Sequence, residues 1–490
     1  MAEISAQVLS VAQMRAAEEA LIARGESVDS LMLRAGRGAA DYVWRMAAGR
    51  AVTVLCGPGN NGGDGYVIAE TIRARGGPVA VVAAIEPKTD AARNARAAYA
   101  GPVLGAGNVP HGDVLVDCLF GSGLTRPLEA GDHALLLRLA ASHALRVAVD
   151  VPSGVQSDHG LLLNDDLPDW HLTVALGAWK PAHALMPARA TMGALRLVDI
   201  GVADVAGAAR MVERPRMTAP AADAHKYRRG LLGVVLGAMP GAGVLAATAA
   251  QGAGAGYVRL LGGAGAGAST GSARAGLGAT SARPESVEGP TLPPDLVLDR
   301  APLSDALDDG RYVALLVGPG LGRGGAAIER LAVALASGIP AVLDADALVL
   351  LGPRLLAERA APVIATPHEG ELARLEQAFD CDGSASKPQR AAALARASGM
   401  IVVAKGPDTV IAAPDGRLAL SAGASSWLSV AGTGDVLAGA IASRLAAGAD
   451  PFAAASEGVW LHGEAARLCP GPFTASQLAG TVASAYRACL

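Results

Sequence analysis

Aromatic residues are scarce in this chain, and neither positively nor negatively charged residues are in large excess. Phe, Trp and Tyr make up 3% of the 490 residues, whereas hydrophobic residues reach 51%. The cores must therefore be built from Ala, Val and Leu, and the length predicts two to three domains. The formal net charge is −4, and no cluster of Lys and Arg stands out. This balance argues against nucleic acid as the main partner.

Cysteine is scarce, and the sequence shows no pattern typical of an export signal. The five cysteines are odd in number, and no pair has C-x-x-C spacing, so neither a disulfide framework nor a zinc site is indicated. Residues 1–10 have no basic region followed by an apolar core, so we expect no secretory signal. The apolar stretch 239–255 is rich in Gly and Ala, which predicts a buried helix rather than a membrane span. We expect a cytoplasmic protein with no membrane partner.

Glycine is abundant, and two glycine loops are the most informative features. Residues 56–65 read CGPGNNGGDG, between an apolar run at 51–55 and a helix-like segment at 66–75. A strand, a glycine-packed turn and a helix bring backbone N–H groups against a phosphate. A related loop, AGTGD at 431–435, lies almost at the other end of the chain. Two such loops so far apart predict two active sites.

The first half follows an α/β rhythm. Two helical patterns, at about 8–24 and 27–47, precede strand-like runs at 51–55, 79–83, 114–117 and 146–150. This alternation predicts a mostly parallel sheet flanked by helices, with ligands at the carboxyl ends of the strands. Asp64, Asp117 and Asp150 fall at such ends. Asp150 stands where a partly desolvated carboxylate serves as general acid or base.

A domain junction is predicted at 213–224, which is rich in proline and small residues and has no apolar period. We therefore predict domains at 1–212 and 225–490, joined by this linker. A second α/β series follows, with strand-like runs at 231–237, 257–262, 314–318, 341–345, 363–366 and 401–405. The tail after Gly434 is predicted to form several helices.

One segment, 263–292, breaks this pattern because it is full of Gly, Ala, Ser and Pro and low in apolar bulk. Such a composition does not bury enough surface to order itself, so we predict a flexible insertion. Two interpretations stay open, a mobile lid and a tolerated surface insertion, and we favour the second.

Oxygen-bearing side chains recur at the strand ends of the first half. Asn61, Asp117 and Ser153 could share a hard cation, and a monovalent ion suits a set with few carboxylates. Each strand-end Asp taken alone would more often cap a helix. Three of them together with two glycine loops favour a functional site over capping.

These motifs resemble the NAD(P)H-hydrate epimerase domain over about residues 8–200. The resemblance implies a Rossmann-like three-layer sandwich that binds hydrated NAD(P)H, with potassium held by Asn61, Asp117 and Ser153. Lys180 falls where such domains carry lysine. The residues implied to contact the nucleotide are Asn60, Asn61, Gly62, Gly63, Asp64, Gly121, Ser122, Gly123, Leu124, Thr125, Arg126, Pro127 and Asp150.

In the second half, the GTGD segment at 432–435 is predicted to open a helix whose N–H groups form an anion hole. Asp435 beside it can take a proton from a hydroxyl as that oxygen attacks a phosphoryl group. The alternative is an ordinary capped helix start. Three further stretches support a site: VGPGLG at 317–322, TPHEGE at 366–371 and KGPDT at 405–409.

Together these stretches resemble the ribokinase-like fold, and specifically the ADP-dependent NAD(P)H-hydrate dehydratase domain, over about residues 224–490. Kinases of this fold carry Thr-Pro-Asn where this chain has Thr366-Pro367-His368. The residues implied to bind the adenine nucleotide are Lys405, Gly406, Pro407, Asp408, Thr409 and Gly434. Those implied to contact the hydrated cofactor are Ala242, Gly320, His368 and Asp435.

The resemblance implies a bifunctional repair enzyme. It would epimerise the R and S forms of hydrated NADH and NADPH and dehydrate the S form at the expense of ADP, with magnesium. Two alternatives remain. One is a hydroxymethylpyrimidine- or sugar-kinase-like enzyme fused to a non-catalytic epimerase-like scaffold, and the other is a non-enzymatic module. We also expect a homo-oligomer.

Overall fold

The computed structural model describes residues 6–107, 110–262, 292–357 and 359–490. The chain divides into two compact units, Met1–Met211 and Val212–Leu490. Residues 213–224, predicted as a linker, carry no helix or strand and belong to the second unit. The predicted insertion 263–292 lies outside the described residues apart from Leu292.

The main sheet of the first unit is parallel throughout, in the order β10-β9-β6-β5-β2-β3-β4. Two short antiparallel pairs, β1 with β11 and β7 with β8, lie apart from it. The strands are β1 Gln7–Val8, β2 Val52–Cys56, β3 Val79–Ala83, β4 Val103–Leu104, β5 Gly112–Cys118, β6 His143–Val149, β7 Val155–Gln156, β8 Leu161–Leu162, β9 Leu172–Leu176, β10 Ala194–Val198 and β11 Ala209–Met211.

Helices cover both faces of this sheet, because alternate strand residues point to opposite sides. Val54 and Val116 share a core with α2 and α3, whereas Leu55 and Leu115 pack with the leucines of α5. The helices are α1 Val11–Ala23, α2 Val28–Ala47, α3 Asn60–Ala74, α4 Asp90–Ala98, α5 Ala130–Ala141 and α6 Ala188–Thr191, with a 3-10 turn at Pro181–His183.

The glycine-rich segment corrects a prediction. We predicted a turn through Gly65 and a helix from residue 66, whereas α3 begins at Asn60 and the turn is confined to 57–59. Glycine is needed inside the helix because its neighbours approach closely. A Cβ on Gly62 would lie 1.9 Å from the Gly57 carbonyl oxygen, and one on Gly63 would lie 2.5 Å from the sulfur of Met32.

The second unit has a mixed sheet in the order β20-β19-β18-β17-β16-β15-β12-β13-β14. Its strands run parallel except where β19 pairs antiparallel with β18 and β20. The strands are β12 Leu231–Val235, β13 Tyr257–Leu261, β14 Val297–Asp299, β15 Tyr312–Val317, β16 Ala341–Leu343, β17 Val363–Ala365, β18 Ile401–Ala404, β19 Val410–Ala412 and β20 Leu418–Leu420.

Three long helices, α14, α15 and α16, form the tail of the chain as predicted. None of the helices that the structure describes combines the length and apolar character needed to cross a membrane. The helices are α7 Pro240–Gly252, α8 Leu303–Leu307, α9 Gly325–Ala336, α10 Asp346–Leu350, α11 Pro353–Leu356, α12 Glu369–Ala378, α13 Lys387–Ser398, α14 Thr433–Ala446, α15 Pro451–Leu468 and α16 Ala475–Arg487, with a 3-10 turn at Ser426–Leu428.

The predicted strands are confirmed within a few residues, but the sheets extend beyond them. In the first unit β9 and β10 continue the sheet past β6, and in the second β19 and β20 extend it past β18. The short run Leu172–Leu176 is buried throughout, and a long segment of chain separates it from β6. A short, fully buried run with a single polar residue, Thr173, has no regular alternation to distinguish a strand from part of a helix, so its pattern alone did not reveal β9.

Candidate active sites

A cavity of about 490 Å³ opens at the carboxyl ends of β5 and β6 in the first unit. The start of α3 and one face of α1 form its other walls. This position is the one expected for a ligand site in a parallel sheet. Its lining residues are Val11, Met14, Arg15, Glu18, Gly59, Asn60, Asn61, Asp64, Thr89, Leu119, Phe120, Gly121, Ser122, Gly123, Leu124, Thr125, Arg126, Asp150, Leu176 and Lys180.

An ion pair between Asp150 and Lys180 lies in this cavity. Asp150 follows β6 directly and has a φ of 65°, an uncommon value for a residue other than glycine. The Lys180 Nζ lies 2.5 Å from Oδ1 of Asp150 and donates to the Leu176 carbonyl at 2.6 Å. The backbone N–H of Ser122 donates to Oδ2 of Asp150 at 2.9 Å. Burial opposes ionisation, but Lys180 and Ser122 together lower the pKa of Asp150 below its ordinary value.

Asp64 lines the same cavity from α3 but titrates in the opposite direction. Burial, together with the nearby charges of Asp150 and Glu18, raises its pKa well above the ordinary value. The cavity therefore holds one carboxylate that is held ionised and another that favours its neutral form. Two carboxyl groups whose pKa values are shifted in opposite directions are suited to act as base and acid.

Of the three predicted cation ligands, Asn61 lines this cavity, whereas Asp117 and Ser153 are buried and absent from its lining. The Ser153 hydroxyl donates to Oδ1 of Asp117 at 2.7 Å, and the Ser153 backbone N–H donates to Oδ2 at 2.9 Å. Burial raises the pKa of Asp117 to about 6. The amide of Asn61 is buried, and neither its Oδ1 nor its Nδ2 has a hydrogen-bond partner among the described residues.

The loop 121–127 passes close to both Asp150 and Asn61. A Cβ on Gly121 would lie 2.9 Å from Oδ2 of Asp150 and 3.2 Å from Cγ of Asn61, so this approach requires glycine. Gly121 to Arg126 line the cavity, but Pro127 does not. Gly62 and Gly63 are also absent from its wall, because they face Gly57 and Met32 instead.

The contribution of α1 to this cavity was not predicted from the sequence. Val11, Met14, Arg15 and Glu18 line the cavity and recur at the spacing of one helix face. That spacing was available in the sequence, but the face mixes apolar and charged residues, and its pattern does not reveal which partner it meets. Lys180 was noted for its position, whereas its pairing with Asp150 was not predicted.

The second unit has a comparable ion pair at the ends of β16 and β18. The Lys405 Nζ lies 2.6 Å from Oδ1 of Asp344, which also accepts from the Thr366 hydroxyl at 2.7 Å. Asp344 is buried, and the next residue, Ala345, has a φ of 48°. Asp344 was missed although it directly follows β16, because the strand was predicted to run on to residue 345. Its carboxylate is the partner that fixes Lys405.

Asp435 lies in the first turn of α14, as predicted. Gly432 precedes the helix with a φ of 93°, and no described side chain caps the helix start. The first N–H groups of a helix lack partners within it. Thr433 donates its N–H to the Val430 carbonyl at 3.4 Å, so the N–H groups of Gly434 and Asp435 are the ones that could meet an anion. Burial and the neighbouring Asp344 raise the pKa of Asp435 to about 6 despite the opposing charge of Lys405.

His368 caps the start of α12. Its Nδ1 accepts the N–H groups of Gly370 and Glu371, and its Nε2 lies 3.4 Å from Oε1 of Glu371. Because Nδ1 is an acceptor, the proton resides on Nε2. Most of the side chain is exposed, so the ring still presents an edge to solvent.

The remaining predicted residues form two groups. In the 405–409 loop, Asp408 pairs with Lys387 at 2.6 Å, and the same Nζ donates to the Lys405 carbonyl at 3.2 Å. Ala242 lies at the start of α7, whose preceding residue Met239 donates its N–H to the Gly320 carbonyl at 2.9 Å. These contacts bring Ala242 and Gly320 to one region, and Leu245 of the same helix lies against Gly432.

Comparisons with known proteins match both halves of the chain. A family profile described as NAD(P)H-hydrate dehydratase matches residues 232–486, and one described as YjeF-related protein N-terminus matches 28–182, so α1 precedes the matched segment. Bifunctional NAD(P)H-hydrate repair enzyme Nnr of Mycobacterium leprae is 33% identical over 501 residues, covering 98% of each chain. The enzyme of the same name from Mycobacterium tuberculosis H37Rv is 34% identical, covering 90% of this chain and 89% of its own.

A solved structure from Bacillus subtilis is also similar to the second unit. It is described as an ADP/ATP-dependent NAD(P)H-hydrate dehydratase co-crystallised with ATP/Mg2+. It is 27% identical, covers 56% of this chain and 95% of its own, and gives a TM-score of 0.46.

Proposed function

The chain belongs to the bifunctional NAD(P)H-hydrate repair enzymes, and on that premise we propose how its two sites divide the reaction. The first domain, 1–212, interconverts the R and S forms of hydrated NADH and NADPH. The second, 225–490, dehydrates the S form at the expense of ADP. The full-length relatives favour this function over a kinase fused to a scaffold domain.

The observation that carries the second activity is the placement of Asp435 at the uncapped start of α14. In the proposed reaction its carboxylate accepts the proton of the ring hydroxyl as that oxygen attacks the terminal phosphoryl group of ADP. The N–H groups of α14 stabilise the charge that develops on the phosphoryl oxygens. Phosphate is then a good leaving group, and the ring nitrogen helps to expel it, which explains why a kinase-like fold performs a dehydration.

We assign nucleotide binding to Gly434 and to the loop Lys405, Gly406, Pro407, Asp408 and Thr409. Lys405 is 17% exposed, so its ammonium can turn from Asp344 towards a phosphate. Magnesium would accompany the nucleotide, and the carboxylate of Asp344 is an oxygen donor of the type that it prefers. Ala242, Gly320 and His368 are assigned to the hydrated cofactor.

In the first domain, the donor set of Asn61, Asp117 and Ser153 fits potassium. The buried amide oxygen of Asn61 has no hydrogen-bond partner among the described residues, and the buried carboxylate of Asp117 is an oxygen donor of the kind that a cation prefers. Asn61, Asp117 and Ser153 would hold the ion, which would supply a fixed positive charge beside the substrate. Asp150, kept ionised by Lys180, would accept a proton, while Asn60, Asn61, Asp64 and residues 121–126, which line the cavity, would bind the nucleotide.

The test is to incubate hydrated NADH with the full chain and to separate both epimers and NADH by chromatography. Without ADP, we expect only interconversion of the epimers, and with ADP and magnesium we expect NADH. Transfer of phosphate to a vitamin or sugar, with no NADH formed, would replace this function by the kinase alternative.

The potassium assignment needs its own experiment. Replacing potassium by tetramethylammonium at constant ionic strength should lower the epimerisation rate, and Asn61→Ala should remove the difference. Dehydration of the purified S epimer is measured in parallel as the control. Equal epimerisation rates in the two salts would refute the ion site without affecting the assignment of the domain.

A further inference from the structure

One face of α1 forms a wall of the epimerase cavity, although none of the assigned site residues comes from this helix. Val11, Met14, Arg15 and Glu18 lie at positions i, i+3, i+4 and i+7, the spacing at which side chains share a helix face. Val11 and Met14 supply apolar surface. Arg15 and Glu18 bring two charges into a cavity that already holds Asp150 and Lys180.

The loop that faces α1 is one of the assigned nucleotide-binding segments. A Cβ on Gly123 would lie 3.8 Å from Nη2 of Arg15, so α1 approaches this loop closely. The capping box of Ser10 and Gln13 fixes the start of the helix, and Asp158 accepts the N–H of Val11 at 2.8 Å. The cavity face of α1 is therefore anchored at its first turn.

Glu18 is half-buried and lies within electrostatic reach of the central ion pair. Burial raises its pKa, Lys180 and Arg15 oppose that increase, and Asp150 adds to it. The charged side chains that share the cavity with it are Arg15 on α1, Asp64 on α3, Arg126 in the loop after β5, Asp150 after β6 and Lys180 after β9. Glu18 and Asp150 thus stand on different elements with their protonation biased in opposite directions.

We propose that Glu18 is a further catalytic residue of the epimerase site and exchanges a proton with the hydroxyl on the hydrated ring carbon. This inference rests on the proposed function of the first domain. It adds a second proton-transfer group to Asp150, and the helix that carries it precedes every segment assigned so far.

The proton and electron balance is complete without any further reactant. Neutral Glu18 gives its proton to the ring hydroxyl as the carbon–oxygen bond breaks, and both bonding electrons leave with the oxygen as water. The lone pair of the ring nitrogen forms a carbon–nitrogen double bond. Water then adds to the other face of that carbon and gives its proton to Asp150, which restores the hydroxyl with inverted configuration. Solvent returns a proton to Glu18 and removes one from Asp150.

Asp64 is less suited to this role although it also favours its neutral form. Only 8% of Asp64 is accessible to solvent, whereas Glu18 is half-buried. A group that gives up a proton in every turnover must regain it from water, and Glu18 has that access. The longer side chain of Glu18 also lets the carboxyl move between the substrate and solvent.

Glu18→Gln in the full chain tests the proposal, with Glu19→Gln as the matched control. Glu19 is the next residue on the same helix, but it is exposed and absent from the cavity wall. Epimerisation of hydrated NADH is followed without ADP, and dehydration of the purified S epimer is followed with ADP in the same preparations. For Glu18→Gln we expect kcat for epimerisation to fall ~10²–10⁴-fold, the range for loss of a general acid, with KM little changed.

The dehydration rate and the thermal unfolding temperature should not change in either variant, and Glu19→Gln should epimerise normally. Glu18→Gln should also lose the alkaline limb of the pH–kcat profile, which a purely structural residue would not affect. A variant Glu18→Gln with kcat within twofold of the parent would overturn the proposal, provided that Asp150→Asn is inactive. If Asp150→Asn were also unimpaired, the assignment of the whole epimerase site would be wrong instead.

Discussion

The two units use the same arrangement for two different reactions. Each has an aspartate–lysine ion pair where parallel strands end: Asp150 with Lys180 and Asp344 with Lys405. Each has a residue other than glycine at positive φ: Asp150 itself in the first pair, and Ala345, next to Asp344, in the second. Each has a helix preceded by glycine and capped by no described side chain, with an aspartate of raised pKa in its first turns.

The difference lies in how accessible the lysine is. The side chain of Lys180 is 2% exposed and also donates to a backbone carbonyl, whereas that of Lys405 is 17% exposed. A lysine enclosed in this way holds its aspartate ionised and has no room to move. One at the edge of its site can leave its aspartate for an incoming phosphate. The first pair is therefore suited to maintaining a base, and the second to binding a nucleotide.

Asp435→Asn separates the two sites with the largest expected effect. Loss of the base should lower ADP-dependent dehydration by ~10²–10⁴-fold, while nucleotide binding persists because the N–H groups of α14 hold the phosphates. Epimerisation by the same protein is the internal control and should be unchanged. If both activities fell equally, the two-site division would be incorrect.

Replacing the two lysines should have different effects on stability and on ADP binding. Lys180→Met leaves Asp150 buried without its counter-ion, and we expect the first unit to lose about 3–5 kcal/mol of unfolding free energy. Lys405→Met also leaves a buried carboxylate without its counter-ion, because the side chain of Asp344 is only 2% exposed, and it should in addition raise KM for ADP, since Lys405 is assigned to the nucleotide. Denaturant unfolding and ADP titrations of both variants measure these quantities. Adding Asp150→Asn to Lys180→Met should restore part of the lost stability, since it removes the unpaired charge.

The pH dependence of dehydration should report Asp435. Since its pKa is raised from 3.8 to about 6, the ionised base disappears as the pH falls through 6. We expect kcat/KM for dehydration to fall about tenfold for each pH unit below 6. Asp435 also links protein stability to pH. Because its pKa is higher in the folded than in the unfolded chain, its contribution to stability is complete at pH values below the unfolded pKa of 3.8 and is lost as the pH rises through 6. A profile that is flat between pH 5 and 7 would exclude Asp435 as the base.

Backbone strain at the second site gives the smallest expected effect. Ala345 has a φ of 48° and a ψ of −120°, a region that glycine enters without the cost imposed by a Cβ. Ala345→Gly should therefore stabilise the second unit, by no more than about 1 kcal/mol because glycine also loses more entropy on folding. Ala357→Gly, in the turn after α11, is the matched control and should be neutral or destabilising. A loss of stability in Ala345→Gly would show that the position is not strained.

Much of both sites could be predicted from local sequence. The glycine loops, the strand-end positions of Asp117 and Asp150, and Asp435 at the start of α14 depend on neighbouring residues, and the structure has them at those places. The helical state of Asn60 to Gly65 could not be predicted in this way. Glycine and asparagine favour turns, and only close packing against Gly57 and Met32 explains why a helix forms there.

The sequence by itself determined the α/β alternation, the two glycine-bearing helix starts and the acidic residues that follow the strands. These features depend on apolar periodicity and on backbone freedom, which act over a few residues. Long-range packing determines which of these side chains are in contact. The strand order places β9 beside β6 and so brings Lys180 to Asp150, the ends of β16 and β18 bring Asp344 to Lys405, and packing lays α1 across the first cavity. Such pairings cross long stretches of chain, and only the order of strands in the folded sheet specifies them.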